Sequence, residues 1–154
     1  MRAMGEPTRA QPFVPEAGHG RGVLILAGGG RSDALVRDAG VRLARHGFVA
    51  LGAELPVAPD GAPSDAERRA VDEGIARLFN EQATDGARVA VMGFGRGGLL
   101  ALDAAARGAR VAVAVAVDAD VDPCALDPGQ PDRYDASAAR ASWDAALARL
   151  RAEL

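Results

Sequence analysis

Short, nearly continuous apolar runs alternate along the chain with longer segments in which apolar residues recur every three or four positions. The short runs are typical of strands buried on both faces, and the longer segments are typical of amphipathic helices. The resulting order is strand, helix, strand, helix, strand, helix, strand, loop, helix. The strands are predicted over residues 22–27, from 48 to a close near 54–56, over 89–92 and over 111–117. The helices are predicted over 32–46, over 64–85, in the Ala/Leu-rich segment between the glycine turn and residue 111, and from about 135 to 154.

Local signals mark the ends of these elements. Ser64 and Glu67 have the spacing of a capping box, in which each side chain accepts a hydrogen bond from the other residue's backbone amide. Ser32 is a candidate N-cap for the first helix, and the two prolines of residues 12–15 limit that segment to a short edge strand. The apolar helix faces are expected at Leu35, Val36, Ala39 and Leu43, at Val71, Ile75, Leu78 and Phe79, and at Trp143, Leu147, Leu150 and Leu154.

Alternating strands and helices predict an α/β fold in which helices cover both faces of a mostly parallel sheet of four or five strands. Right-handed crossovers and one topological switch favour the strand order 2-1-3-4. The switch then lies between the strands that end at Ala27 and Met92, where the glycine turns 28–30 and 93–98 converge. We expect one three-layer domain over residues 1–154, with an irregular lead-in over residues 1–21.

Composition narrows the class of protein. The net charge of -3 gives no electrostatic reason to expect nucleic acid or an anionic membrane as a partner. All 18 lysine and arginine positions are arginine, which is a composition bias rather than a sign of chemistry. No apolar run approaches the length of a membrane span or a signal sequence. The single cysteine, Cys124, excludes an intramolecular disulfide and fits a reducing compartment. These features predict a cytoplasmic protein without nucleic-acid or membrane partners.

The turn after the third strand has three interpretations. In a nucleophile elbow, G-x-nucleophile-x-G, a strained turn lifts a serine or cysteine above the sheet, but here Gly95 stands at that position. In a dinucleotide-binding module, the same turn reads G-x-G-x-x-G, and Asp118, twenty residues later, would bind the ribose. In the third interpretation the glycines only allow a helix to cross a strand closely. The turn consists of Gly93, Phe94, Gly95, Arg96, Gly97 and Gly98.

From residue 22 to residue 98 the chain resembles the dienelactone hydrolase family, a branch of the α/β-hydrolases. The first strand, the following helix and strand, and the elbow carry the likeness: GVLILAGGG, RDAGVRLARHGFVALGAELP and GARVAVMGFGRGG. The last segment, RYDASAARASWDAALARLRAEL, resembles the family's C-terminal helix. The resemblance implies a shortened α/β-hydrolase fold and hydrolysis of a small carboxylic ester or lactone through an acyl-enzyme, with no metal or cofactor.

The chain departs from that family at its catalytic positions. The family's nucleophile is a cysteine or serine supported by an aspartate and a histidine, whereas this chain has Gly95, and Pro128-Gly129-Gln130-Pro131 stands where a His-Gly-Phe would be. His19 and His46 precede the first two strands, at the sheet edge opposite the glycine turns. We therefore expect no catalytic residue and no acyl transfer, with Cys124 as the alternative nucleophile.

A crevice lined by backbone amides remains. Arg96 could hold a small carboxylate beside the helix N-terminus, and acids at the strand ends could bind a cation or a hydroxyl. A second copy could cover an exposed sheet edge to form a homodimer. The predicted ligand-binding residues are Gly29, Gly30, Gly93, Phe94, Gly95, Arg96, Gly97, Gly98 and Asp118, and the other strand-end acids are Glu54 and Asp120.

Overall fold

The structure is a computed structural model that describes residues 11–28, 33–57, 61–108, 110–117 and 126–154. Within these residues the strands are β1 (Gly20–Ala27), β2 (Val49–Gly52), β3 (Thr84–Phe94) and β4 (Val111–Ala116). The helices are α1 (Asp33–Arg45), α2 (Asp65–Asn80), α3 (Arg96–Arg107) and α4 (Ala136–Glu153). The four strands and four helices of the predicted alternation are present.

The four strands form one parallel sheet in the order β2-β1-β3-β4, which confirms the predicted α/β topology. The order reverses between β1 and β3, so the loops that leave the carboxyl ends of these two strands start side by side. The amide of Gly28, just after β1, lies 3.5 Å from the carbonyl oxygen of Phe94, the last residue of β3. The first residue of one glycine turn therefore contacts the other turn, as predicted.

Helices cover both faces of the sheet. The apolar faces of α1 and α4 pack on one side, where Leu35, Leu43, Trp143 and Leu150 are buried. The apolar faces of α2 and α3 pack on the other, around Leu24. Because the centres of β1 and β3 are covered on both sides, residues 22–26 and 89–94 are buried without alternation, as in other parallel sheets. None of the helices in the described ranges has the length and hydrophobicity needed to cross a bilayer.

The predicted capping box of α2 is confirmed, and α4 begins with a side-chain cap near the predicted residue 135. Ser64 is the N-cap of α2, and both reciprocal bonds of its capping box with Glu67 form, at 3.1 Å and 3.0 Å. Asp135 is the N-cap of α4 and accepts hydrogen bonds from the amides of Ser137 and Ala138. These side chains satisfy backbone donors that a helix start otherwise leaves without partners.

Some predicted boundaries were wrong. β2 ends at Gly52, before the predicted close near residues 54–56. The second helix ends at Asn80, and Asp85 and Gly86, expected as its terminator, lie inside β3. Thr84 and Asp85 pair with the first two residues of β1, and the register then shifts, with Gly86 at φ 88°. That glycine serves a strand irregularity rather than a helix end.

The segment 12–15 makes a single antiparallel bridge, from Phe13 to Ala50 of β2, instead of a strand. The prolines on either side of this segment cannot donate to a ladder, which limits the pairing to one residue. Predictions for Ser32, Gly29, Gly30, Asp118, Asp120 and Cys124 lie outside the described residues.

Removing a buried side chain from α4 tests this packing. Leu150→Ala should lower the free energy of unfolding by about 2–5 kcal/mol, because it leaves a cavity in the core shared by α1 and α4. Urea denaturation followed by the fluorescence of the single tryptophan, Trp143, measures the change. Arg149→Ala, at an exposed neighbouring position, should change stability by less than about 0.5 kcal/mol. Equal losses for both variants would contradict the predicted packing.

Candidate functional site

The candidate site is the turn between β3 and α3, at the carboxyl end of the sheet. Gly95 is the N-cap of α3 and adopts φ 58° and ψ −129°. L-residues rarely adopt this positive φ, and a residue with a side chain held there carries strain of about 1–3 kcal/mol. The chain thus forms a sharp strand-to-helix turn, the backbone geometry of a nucleophile elbow, with glycine at its apex.

Glycine is required on both sides of this apex because the backbone passes very close to its neighbours. A Cβ on Gly93 would lie 2.0 Å from the carbonyl oxygen of Gly97, and one on Gly97 would lie 2.0 Å from the carbonyl oxygen of Leu26. A Cβ on Gly98 would lie 3.0 Å from that of Ala116. The first turn of α3 therefore rests directly on β1, β3 and β4.

Burial limits which turn residues a ligand can reach. Gly93, Phe94, Gly97 and Gly98 are buried, and only Gly95 and Arg96 are partly exposed. The ring of Phe94 is in the core, with its centroid 5.9 Å from that of Trp143. A ligand at the turn would therefore approach the backbone at Gly95 and Arg96, and the side chain of Phe94 supports the turn from below.

Arg96, predicted to hold an anion, already has a carboxylate partner. Its guanidinium donates to the two carboxylate oxygens of Glu67 at 2.6 Å and 2.7 Å. It also donates to the carbonyl oxygens of Gly61 and Ala62, in the loop before α2. The side chain of Glu67 is 1% exposed and that of Arg96 is 12% exposed, so the pair is shielded from water. An external anion on this guanidinium would have to compete with Glu67.

The electrostatics of Glu67 follow from these contacts. The hydrogen bond from Arg96 is the main reason that the pKa of Glu67 is lowered from 4.5 to about 2. Burial raises this pKa and so offsets part of the effect, while hydrogen bonds from Ser64 lower it further. Glu67 is therefore ionised at neutral pH, and its single carboxylate both caps α2 and binds the first residue of α3.

Sequence reasoning missed this pair. It assigned Glu67 only to the capping box, and the spacing of 29 residues between Glu67 and Arg96 carries no local signal. A second link between the same helices was also missed: Arg68 donates to both carboxylate oxygens of Asp103 and, with Arg107, lowers the pKa of that aspartate. Ion pairs thus join α2 and α3 next to the turn.

Neither histidine of the chain can serve the turn. His19, before β1, contacts Asp85 at 2.6 Å, and His46, after α1, contacts Arg151. Both are exposed and lie at the amino edge of the sheet, as predicted. The eight residues of β1, at about 3.3 Å each, separate that edge from the turn by roughly 25 Å. Proton transfer needs direct or water-bridged contact, so a general base at Gly95 cannot come from His19 or His46.

Glu54 lies at the carboxyl edge but not at the turn. It is exposed and lines a groove of about 490 Å³ between the end of β2 and α2, together with Glu73 and Arg77. Within the described ranges no group of three histidine, cysteine, aspartate or glutamate side chains is arranged to hold a metal ion. The turn and the Glu67–Arg96 pair are therefore the features on which a functional assignment can be based.

Comparison with known proteins relates this architecture to an esterase. The chain is similar to the structure of an esterase from Pyrococcus furiosus, with a TM-score of 0.54 and 18% sequence identity. The match covers 75% of this chain and 53% of the esterase, so the chain spans about half the length of that protein. No protein-family model matches the sequence, and no curated protein matches it. At this identity the likeness shows an esterase-like α/β fold alone.

Because of this buried ion pair, we expect the free energy of unfolding to decrease at acidic pH. Because the folded pKa of Glu67 is below its unfolded value, the stabilisation is complete above about pH 4.5 and is lost as the pH falls towards 2. We expect a loss of about 3 kcal/mol over this window, and Glu67→Gln should remove it. Urea denaturation from pH 7 to pH 2 measures the effect.

Glu153→Gln provides the matched control, since Glu153 forms an exposed ion pair with Arg149 at the end of α4. This variant should keep the wild-type acid dependence and lose little stability. If Glu67→Gln lost stability with acid as steeply as the wild type, the assignment of this dependence to Glu67 would be wrong.

Proposed function

We propose that this chain is a shortened relative of the dienelactone hydrolases that does not transfer acyl groups and binds a small carboxylate at the α3 turn. The observation that supports this most directly is the conformation of Gly95: an elbow turn with glycine where the nucleophile of an ester hydrolase stands. The sequence motifs around the turn, and the likeness to an esterase fold, support the same lineage.

Loss of acyl transfer follows from the groups present. Acyl-enzyme chemistry needs a nucleophile and a base within hydrogen-bonding distance of each other. Gly95 has no side chain, and both histidines are at the far edge of the sheet. The elbow therefore keeps the backbone of an ester hydrolase site without the side chains that run the reaction.

Binding of a carboxylate would rest on backbone amides rather than on a guanidinium. Helix N-termini favour anions because their first amides lack partners within the helix and carry the positive end of the helix dipole. Within residues 93–98 the partly exposed positions are Gly95 and Arg96, and the guanidinium of Arg96 is bound to Glu67. A carboxylate is the charged product of ester hydrolysis, so a residual site of this lineage would suit it.

Restoring a nucleophile tests the proposal. In a Cys124→Ala background, Gly95→Cys should give one burst of p-nitrophenol from p-nitrophenyl acetate, no larger than the enzyme concentration, and then stop. The elbow amides can stabilise the oxyanion of acylation, but no histidine is placed to assist deacylation. Stopped-flow absorbance and the mass of the acetylated protein measure the burst. Gly95→Ala, which carries the same backbone strain without a thiol, should give no burst.

Wild-type protein and Cys124→Ala alone should show no turnover above buffer. Turnover by the wild type that disappears in Cys124→Ala would contradict the proposal and make Cys124 the nucleophile. Failure of a folded Gly95→Cys variant to acylate would contradict the assignment of the turn as an elbow.

A dinucleotide-binding module is the alternative function, because residues 93–98 lie beside the topological switch of the sheet, where α/β folds bind dinucleotides. A chemical-shift titration distinguishes it from carboxylate binding. In a chemical-shift titration of the full chain, acetate or benzoate should move the amide signals of Gly95 and Arg96, and NADH should not. The opposite pattern would favour a dinucleotide-binding module. Gly18→Ala, at a remote turn, should leave the carboxylate response unchanged.

A further inference from the structure

The two edges of the sheet differ in how they end. At one edge, Phe13 covers β2 through two backbone hydrogen bonds with Ala50, of 2.8 Å and 2.9 Å. At the other edge, β4 pairs with β3, and no other described strand pairs with it. β4 reads VAVAVA and has neither charge nor proline, the devices with which edge strands usually prevent association. The outer edge of β4 is therefore suited to pairing with a strand of another chain.

The helix above this strand is apolar on the same flank. Gly98 lies against Ala116, which places this side of α3 over β4. Helical spacing puts Leu102 and Ala105 on the flank of Gly98, away from Asp103 and its ion pair with α2. Leu102 is 54% exposed, and Leu99 beside it is 44% exposed. An apolar helix flank thus continues the apolar strand edge.

We propose that a second copy of this chain covers this face and forms a two-fold dimer through β4 and α3. A two-fold axis perpendicular to the sheet pairs β4 with the β4 of the partner in antiparallel fashion, so that backbone donors face backbone acceptors. The same axis brings the two α3 flanks together over the strand pair. The VAVAVA repeat places only valine and alanine opposite each other in any such register.

Charge and size favour a second copy over a different partner. The described face carries no charge that an acidic or basic partner could recognise, and an identical uncharged face is complementary to it without like-charge repulsion. The six residues of β4 and the twelve of α3 each extend for about 20 Å. The strand and the helix can therefore contact a second copy along the same length.

Leu102→Glu tests this interface because it places two negative charges at the helix contact while leaving the core intact. The full wild-type chain should sediment as a dimer, and Leu102→Glu should sediment as a monomer with unchanged circular dichroism. Val41→Glu is the matched control: Val41 is exposed on α1, on the opposite face of the sheet, and this variant should remain dimeric.

Amide hydrogen exchange provides a second measurement, which reports directly on the backbone of β4. Residues 111–116 should exchange more slowly in the wild-type dimer than in the Leu102→Glu monomer, because strand pairing protects the outward-facing amides. A wild-type monomer, an assembly larger than a dimer, or a dimer in which Leu102→Glu changes neither the mass nor the exchange of β4 would overturn the proposal.

Discussion

The architecture depends on the close contact between the start of α3 and the strands beneath it. Because Gly93 and Gly97 lack side chains, the backbone of α3 lies directly against β3 and against the carbonyl oxygen of Leu26 in β1. This contact determines where α3 begins and gives Gly95 its positive φ. A side chain at Gly93 or Gly97 would push the helix away from the sheet and open the turn. Packing therefore explains why glycine stands at positions 93, 95 and 97, without reference to a ligand.

The ion pair between Glu67 and Arg96 holds the other side of the turn. One carboxylate caps α2 and binds the guanidinium next to Gly95, and that guanidinium also binds the carbonyl oxygens of the preceding loop. Such a buried pair is costly to break, since either partner alone would remain charged and desolvated. Arg96, which the sequence favoured for binding an anion, is therefore a structural link between two helices, and the proposed carboxylate binding would depend on the backbone.

The backbone conformation of the turn between β3 and α3 connects the structure with the proposed function. A nucleophile elbow requires strain at its apex when the residue has a side chain, and glycine adopts the same conformation without that cost. In the proposed function, glycine at the apex keeps this turn as a packing element that carries no catalytic side chain. The sequence of β4 contains neither charge nor proline, so the strand itself has none of the usual residues that prevent an edge from pairing with another chain.

The sequence by itself determined the order of elements, the strand order and the faces of the helices, because these follow from local hydrophobic periodicity and from the handedness of crossovers. It also determined the capping box of Ser64 and Glu67, which depends on residues three positions apart, and the start of the last helix near Asp135. Only the tertiary structure decided that Asp85 and Gly86 belong to β3, since their pairing partners lie at the start of β1. Likewise, it decided that Arg96 binds Glu67: a contact across 29 residues depends on how two helices pack, and no local pattern encodes that distance.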